Sequence, residues 1–308
     1  MMQDGIYHMP VLLKETIDGL QIDPAGIYVD CTFGGGGHSA AILEKLSTRG
    51  RLVAFDQDKD AVKNLPSDER LLFVPHNFRH LQRFLRFHKI PKVNGILADL
   101  GVSSHQLNTA ERGFSTRFNA PLDMRMNQAD KTVAADVIKS YSAERLHLLF
   151  EKYGEITNAK TLAKLIVQVR RSQPLGTINE FKNALYPVVT GNPERYFAQV
   201  FQALRIEVND ELGALKEMLQ QAPAVMEDGA RIAIITFHSL EDRVVKNFFR
   251  QGNFNGEHGN DLYGTVRKNE LKVITKKPVV ASQQEIKNNA RSRSAKLRIA
   301  EKIKVSEK

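Results

Sequence analysis

Four consecutive glycines, Gly34 to Gly37, lie between a short apolar run and the first turn of an amphipathic segment in DCTFGGGGHSAAI, residues 30 to 42. No other stretch limits the fold as tightly. Glycine loses more freedom on folding than any other residue, so a run of four belongs where the backbone turns sharply or approaches something closely. After a strand and before a helix, such a turn lets backbone N–H groups face a ligand with no Cβ in the way. Gly34, Gly36 and Gly37 are the positions expected against it.

The flanking pattern supports this placement. Ile27 to Asp30 reads as a buried strand and His38 to Leu46 as a helix with Ile42, Leu43 and Leu46 on one face. RLVAFD (51 to 56), RLLFVP (70 to 75) and NGILAD (94 to 99) repeat the strand pattern, with an amphipathic stretch from Phe78 to Phe87. Strands alternating with helices predict an α/β fold with a parallel sheet covered on both faces. The rhythm changes after Asp99. From Leu107 to about Gln220 only helical patterns occur: Ala143 to Lys152, Ala159 to Arg171, Ile178 to Leu185 and Pro193 to Leu219. Thr177 with Glu180 predicts a capping box, and Asn192-Pro193 an N-cap with first-turn proline. GARIAIITF (229 to 237) then returns as a strand, and Ser239 with Asp242 predicts a second capping box. ELKVITKKP and AKLRIA read as two closing strands after a Gly/Asn-rich loop at 250 to 264. The expected organisation is residues 1–106, a helical insertion over 107–220, and 221–308 completing the sheet.

Charge narrows the partners. Lys and Arg number 44 against 35 Asp and Glu, a net charge of +9, which suits a polyanion such as nucleic acid. Cys31 is the single cysteine, so neither an internal disulfide nor a cysteine-based zinc site can form, and no metal is expected. The N-terminal stretch carries acids early and lacks a long apolar run, which predicts neither a signal peptide nor a membrane span and implies a cytoplasmic protein. A homodimer is compatible with these features.

Asp56 follows Gly36 by 20 residues at the end of the second strand, the position where an acid takes ribose hydroxyls in such folds. Dinucleotides and S-adenosylmethionine share that layout. Asp30, just before the glycines, would repel a pyrophosphate but accept from an ammonium group, which favours S-adenosylmethionine. Asp99 ends the fourth strand at the carboxyl edge, where open α/β sheets hold their chemistry. DLGVSSHQL sets Asp99, Ser103, Ser104 and Gln106 beside the expected cofactor. Transfer of a methyl group from a sulfonium needs an acceptor atom held in line, and orientation can lower such a barrier by roughly 7–11 kcal/mol. For an exocyclic amine, whose lone pair is conjugated with its ring, Asp99 is the candidate acceptor of the N–H.

Other residues admit two readings. His38 serves either as a cofactor contact or as a helix-start residue facing solvent. Phe78 has helical spacing with Leu81 and Leu85, which suits the core. Arg79, Arg83 and Arg86 share the opposite face, either a solvated basic surface or an RNA contact. Lys276, Lys277, Arg291, Arg293, Lys296 and Arg298 form a second basic concentration, expected to touch RNA. FHSLEDR brings His238, Ser239 and Asp242 together, but Ser239 is better explained as an N-cap than as a nucleophile. His238, just past the fifth strand, is placed to line an acceptor pocket.

The motifs HMPVLLKE, DCTFGGGGHS, DLGVSSHQL, ERGFS, PLDMRM, FQALRIEVNDEL, FHSLEDRVVK and RSRSAKLRIAEK, in this order from about His8 to Lys302, closely resemble the ribosomal RNA small-subunit methyltransferase H family, also called MraW. The resemblance implies a Rossmann-like methyltransferase domain interrupted by a helical domain. It implies an S-adenosyl-L-methionine-dependent enzyme that methylates N4 of a cytidine in the decoding region of 16S ribosomal RNA, in the small subunit or an assembling precursor. Carried over by motif, Gly36, Gly37 and His38 fall in the first cofactor loop, Asp56 at the ribose, Phe78 near the adenine, and Asp99 and Gln106 in the fourth-strand motif. Asp99 is followed by Leu100 and Gly101, not by the two prolines and aromatic of the commoner amino-methyltransferase signature. Competing readings are a nicotinamide-dependent oxidoreductase, which shares the glycine turn and Asp56, and a non-catalytic RNA-binding assembly factor.

Overall fold

In the computed structural model, which describes residues 10–254 and 269–304, the chain divides into two compact units: residues 1–101 with 212–308, and residues 102–211. Residues 255–264 of the expected Gly/Asn-rich loop lie outside the described residues.

The first unit holds one seven-stranded sheet. Its strands are β1 (Ile27–Asp30), β2 (Arg51–Phe55), β3 (Leu71–Val74), β4 (Val93–Asp99), β5 (Met226–Thr236), β6 (Leu271–Val273) and β7 (Lys296–Lys302), in the order β3-β2-β1-β4-β5-β7-β6. Successive side chains point to opposite faces, so each strand feeds two cores. Val29, Val53, Phe55, Ile96 and Ile234 pack in one core with Leu81 and Leu85 of the helix Leu81–Phe87, Leu215 and Met218 of the helix Glu211–Val225, and Phe249 of the helix Ser239–Gln251. Tyr28, Leu52, Leu97, Ile235 and Leu297 face the other way, onto Leu20 of the helix Leu13–Leu20 and Ile42 and Leu43 of the helix Gly37–Lys45. Burying each of these large apolar side chains contributes about 1.5–3 kcal/mol. The α/β class expected from the alternation is the class observed.

The sheet is not wholly parallel. β7 runs antiparallel to both β5 and β6. The chain leaving β6 stays at the carboxyl edge, where Ile274 and Thr275 donate to the Ile299 carbonyl and Val279 bridges Leu297. β7 therefore starts from that edge, Lys296 opposite Thr236, and can only run back.

The second unit is helical. Leu146, Phe150, Leu162, Ile166, Phe181, Val200 and Phe201 share a core of its own. The predicted caps form: Glu180 N–H donates to Thr177 Oγ1 (3.3 Å), Thr177 N–H donates to Glu180 Oε2 (2.9 Å), and Arg195 N–H donates to Asn192 Oδ1 (3.0 Å). The single helix expected over Pro193 to Leu219 is two, Pro193–Asn209 and Glu211–Val225, broken at Asp210 with φ 47°. The break lets Leu215, Met218, Leu219 and Ala222 pack on the sheet, and the second compact unit spans Val102–Glu211. Among the described residues no helix is long and apolar enough to cross a membrane.

β4 carries Asp99 at its end and is held by the fully buried Ile96. Ile96→Ala should lower urea stability by about 2–5 kcal/mol, read from the unfolding midpoint; an unchanged midpoint would remove β4 from the core.

Candidate active site

Parallel pairing brings the ends of β1, β2 and β4 side by side, with Asp30 in register with Ala54 and Leu97. Asp30 closes β1, Asp99 closes β4, and Asp56 directly follows β2. Side chains from the glycine turn and its helix lock them. Ser39 Oγ donates to Asp30 Oδ2 (2.7 Å) and Thr32 N–H to Asp30 Oδ1 (3.0 Å). Thr32 Oγ1 accepts from the Asp99 N–H (2.7 Å), tying the end of β1 to the end of β4. Asp56 Oδ2 accepts from Gly34 N–H (2.7 Å) and its Oδ1 from Asp58 N–H (2.8 Å).

The four glycines have separate reasons. Gly34 (φ 51°) and Gly36 (φ 78°) occupy the left-handed region, and a Cβ on Gly36 would also meet the Phe33 ring at 3.0 Å. A Cβ on Gly37 would strike Pro10 at 2.3 Å, so that glycine is explained by packing. Gly35 is the one of the four whose Cβ would meet nothing within 4 Å among the described residues. The glycine missing from the sequence expectation is thus the one with an open face.

His38 does not face solvent. It is buried, its Nε2 3.1 Å from the Val11 carbonyl and its Nδ1 3.6 Å from Asp99 Oδ2. Burial lowers its pKa, so the ring is neutral near pH 7, donating from Nε2 and turning the bare Nδ1 toward Asp99. Asp99 Oδ1 is buried and has no hydrogen-bond partner among the described residues. Burial drives the Asp99 pKa well up, and Asp30 and Glu241 add like-charge repulsion. Asp30 is raised by burial, opposed mainly by the Ser39 hydrogen bond, and burial lifts Asp56 to about 6 against the N–H groups of Asp58 and Gly34. Among the described residues no lysine or arginine pairs with any of the three. A rim of desolvated carboxylates with no cation of its own suits a positively charged ligand and opposes a pyrophosphate.

At the neighbouring strand, β5, the expected Ser239–Asp242 capping box does not form. His238 is the N-cap residue, and Glu241 reaches back to accept from the N–H of Phe237 (2.8 Å) and of His238 (3.4 Å). Asp242 instead takes Arg298, Nε to Oδ1 2.6 Å, with Lys296 Nζ 3.6 Å from its Oδ2. Arg298, expected at an RNA surface, is therefore buried in an ion pair. Lys296 begins β7 at the carboxyl edge, and Arg293 and Arg291 precede it in a 3₁₀ turn, Arg293 exposed and Arg291 half-buried. The His238 side chain is buried, 3.1 Å from Glu241. Phe78 is half-buried against the sheet core at the start of its helical segment. Gln106 belongs to the helical unit, where it closes a capping box with Ser103 (Oε1 accepting at 3.0 Å, N–H donating at 3.1 Å). Thr32, Ser39 and Glu241 were not anticipated. The hydroxyls flank Asp30 in sequence, but only β1–β4 pairing gives Thr32 its partner, and the adjacent acids in SLED gave the cap to the wrong one.

The family model of the MraW methylase family matches residues 5–303. The chain belongs to that family. It is 51% identical over 298 residues to the ribosomal RNA small subunit methyltransferase H of Christiangramia forsetii, covering 96% of this chain and 98% of that one. Its identity to the protein of the same name from Parabacteroides distasonis is 50% over 303 residues, covering 98% and 99%. Among solved structures, NSun6 from Pyrococcus horikoshii with SFG aligns at TM-score 0.41 and 12% identity, covering 96% of this chain and 53% of that one. The cofactor of this MraW methylase is S-adenosylmethionine, whose sulfonium and ammonium cations match a rim of unpaired carboxylates.

The raised acids have a signed consequence. Asp residues in the unfolded chain lose their protons near 3.8, whereas Asp56 holds its own to about 6 and Asp99 well above 3.8. The folded ligand-free chain thus binds more protons in that window, and stability from these groups is lost as pH rises through it. His38, lowered by burial, acts in the opposite sense. Asp99→Asn removes one raised acid and keeps His38. From about pH 5 to about pH 8 the urea midpoint of the wild type should fall relative to that of Asp99→Asn; a constant difference would contradict the burial assigned to Asp99.

Proposed function

We propose that this MraW methylase is a small-subunit ribosomal RNA methyltransferase that transfers the methyl group of S-adenosylmethionine to N4 of a cytidine in the decoding region of 16S RNA, in the cytoplasm. The carrying observation is the rim of Asp30, Asp56 and Asp99, with no countercharge among the described residues, at the carboxyl edge of a methylase of this family. The names of relatives sharing half of its residues over nearly the whole chain support ribosomal RNA as the substrate. Bound there, the cofactor supplies an electrophilic methyl group on a sulfonium.

The chain's own residues do the rest. Gly34, Gly36, Gly37 and His38 shape the turn under the cofactor's amino-acid end, Asp56 accepts from ribose hydroxyls, and Phe78 packs at the adenine. Gln106 is assigned to the cofactor only by its motif. Asp99 Oδ1, lacking any partner, accepts an N–H of the exocyclic amine, turning the nitrogen lone pair toward the methyl group and taking up the proton released on transfer. Neutral His38 beside Oδ2 leaves that carboxylate unneutralised. His238 lines the acceptor pocket, and Arg291, Arg293 and Lys296 hold RNA phosphates. The helical unit recognises the substrate, and the cytosine is extruded from its stack to reach the rim.

Small subunits lacking the modification, incubated with the protein and labelled cofactor, should acquire one methyl group at N4 of one cytidine, located by mass spectrometry. Asp99→Ala should lower the rate by about 10²–10⁴-fold. Methylation at another atom would overturn the acceptor. No transfer, with RNA binding intact, would favour the assembly-factor reading, and stabilisation by NAD in place of S-adenosylmethionine the oxidoreductase.

A further inference from the structure

Between β3 and β4 the chain reads HNFRHLQRFLRFHKIPK, residues 76 to 92, with five Lys or Arg, three His, three Phe and no Asp or Glu. It folds as a 3₁₀ turn, Phe78–His80, continuing into the helix Leu81–Phe87, which buries Leu81 and Leu85 in the sheet core. The opposite face is left to the arginines and Phe87, while Phe78 and Phe84 pack against the core. Together with the helix Glu211–Val225 it borders an open groove of about 630 Å³, lined by Arg79, Arg83, Phe84, Arg86, Phe87 and Glu217 among others.

The groove has a rigid wall and an unengaged one. On the rigid side Arg79 makes a forked ion pair with Glu217 (2.8 and 3.2 Å), and Gln221 accepts from Gln82 N–H (2.9 Å) and donates to the Arg79 carbonyl (2.7 Å). Among the described residues Glu217 is the single acid lining the groove, and Arg79 already neutralises it. On the other side Arg83 and Arg86 are exposed, and among the described residues neither pairs with a carboxylate. Phe87 is 76% exposed, the most exposed large apolar side chain among the described residues. Phe84 is already stacked, its ring 4.4 Å from His76 at 17° and 5.9 Å from the Arg83 guanidinium.

Unpaired arginines interleaved with an exposed ring, in a groove with no free acid among the described residues, match what a single RNA strand presents: phosphates for the cations and a base face for the phenyl. A protein partner would be met by Phe87 but gives no reason for a seventeen-residue stretch without one acid. We propose that this groove is a track for single-stranded RNA, with Arg83 and Arg86 on phosphates and Phe87 stacking a base. The helix follows β3 and runs back along the sheet, so Phe78 lies toward the carboxyl rim and Phe87 toward the amino ends of the strands. The track therefore takes RNA flanking the nucleotide at the rim; the inference rests on the RNA methyltransferase reading.

The test is fluorescence anisotropy of the full-length protein with a labelled single-stranded RNA carrying small-subunit sequence, titrated at several salt concentrations. For the double variant Arg83→Ala/Arg86→Ala the slope of log affinity against log salt should flatten by about 1.4, roughly 0.7 per phosphate lost. Phe87→Ala should weaken binding about 5- to 150-fold at fixed salt, and Phe87→Tyr should restore it. Calorimetric affinity for S-adenosylmethionine should be unchanged in all of them. Wild-type slope and affinity in the variants would overturn the inference, as would an effect confined to assembled subunits, which would make the partner a protein. If the wild type binds RNA through these residues but transfers no methyl group, the enzymatic reading falls and the track stands.

Discussion

Three adjacent strands deliver three carboxylates to one edge of the sheet, and the described residues supply hydrogen bonds to them but no countercharge. Ser39, Thr32 and the Gly34 N–H satisfy oxygens of Asp30 and Asp56, while Asp99 keeps one buried oxygen without a partner. Desolvation then works against the charged forms and lifts all three acids. Such a rim stores an unfavourable energy that a bound cation relieves. Asp30 is buried beneath the glycine turn, while Asp56 and Asp99 stay half-buried at the edge, where a ligand can reach them.

The glycine turn follows from the same constraint. To carry the Gly34 N–H to Asp56, the backbone bends through left-handed φ at Gly34 and Gly36, and Gly37 lets Pro10 close on the first turn of the helix. That turn in turn seats His38 against Val11 and Asp99 and Ser39 against Asp30. Of the four, Gly35 keeps an open face among the described residues. One loop thus sets the sheet's carboxylates and exposes backbone beside them, which is why a change there would be felt at several acids at once.

Much of this was legible before the structure. β1 was read residue for residue, the other strands of the parallel part to within a few positions, and Asp30, Asp56 and Asp99 were placed on the shared edge they occupy. Apolar runs and turn residues are local signals, and local signals survive in a sequence. What escaped depends on long-range pairing. Nothing near Lys296 says that β7 slots between β5 and β6, or that Arg298 will spend its charge on Asp242. The break at Asp210 was hidden because apolar residues continue on both sides, though they face two different cores. Glu241 and Asp242 are neighbours with equal claim to the cap, and the ion pair with Arg298 decides which one is free to reach back.

The most direct test of the central claim, that these carboxylates hold the cationic methyl donor, is a crystal structure of the protein with S-adenosylmethionine. The account predicts ribose hydroxyls within hydrogen-bonding reach of Asp56, the sulfonium over the ends of β1 and β4, and the methyl group facing Asp99. A cofactor bound away from this edge, or an edge whose acids remain bonded only to the protein when the cofactor is present, would contradict it.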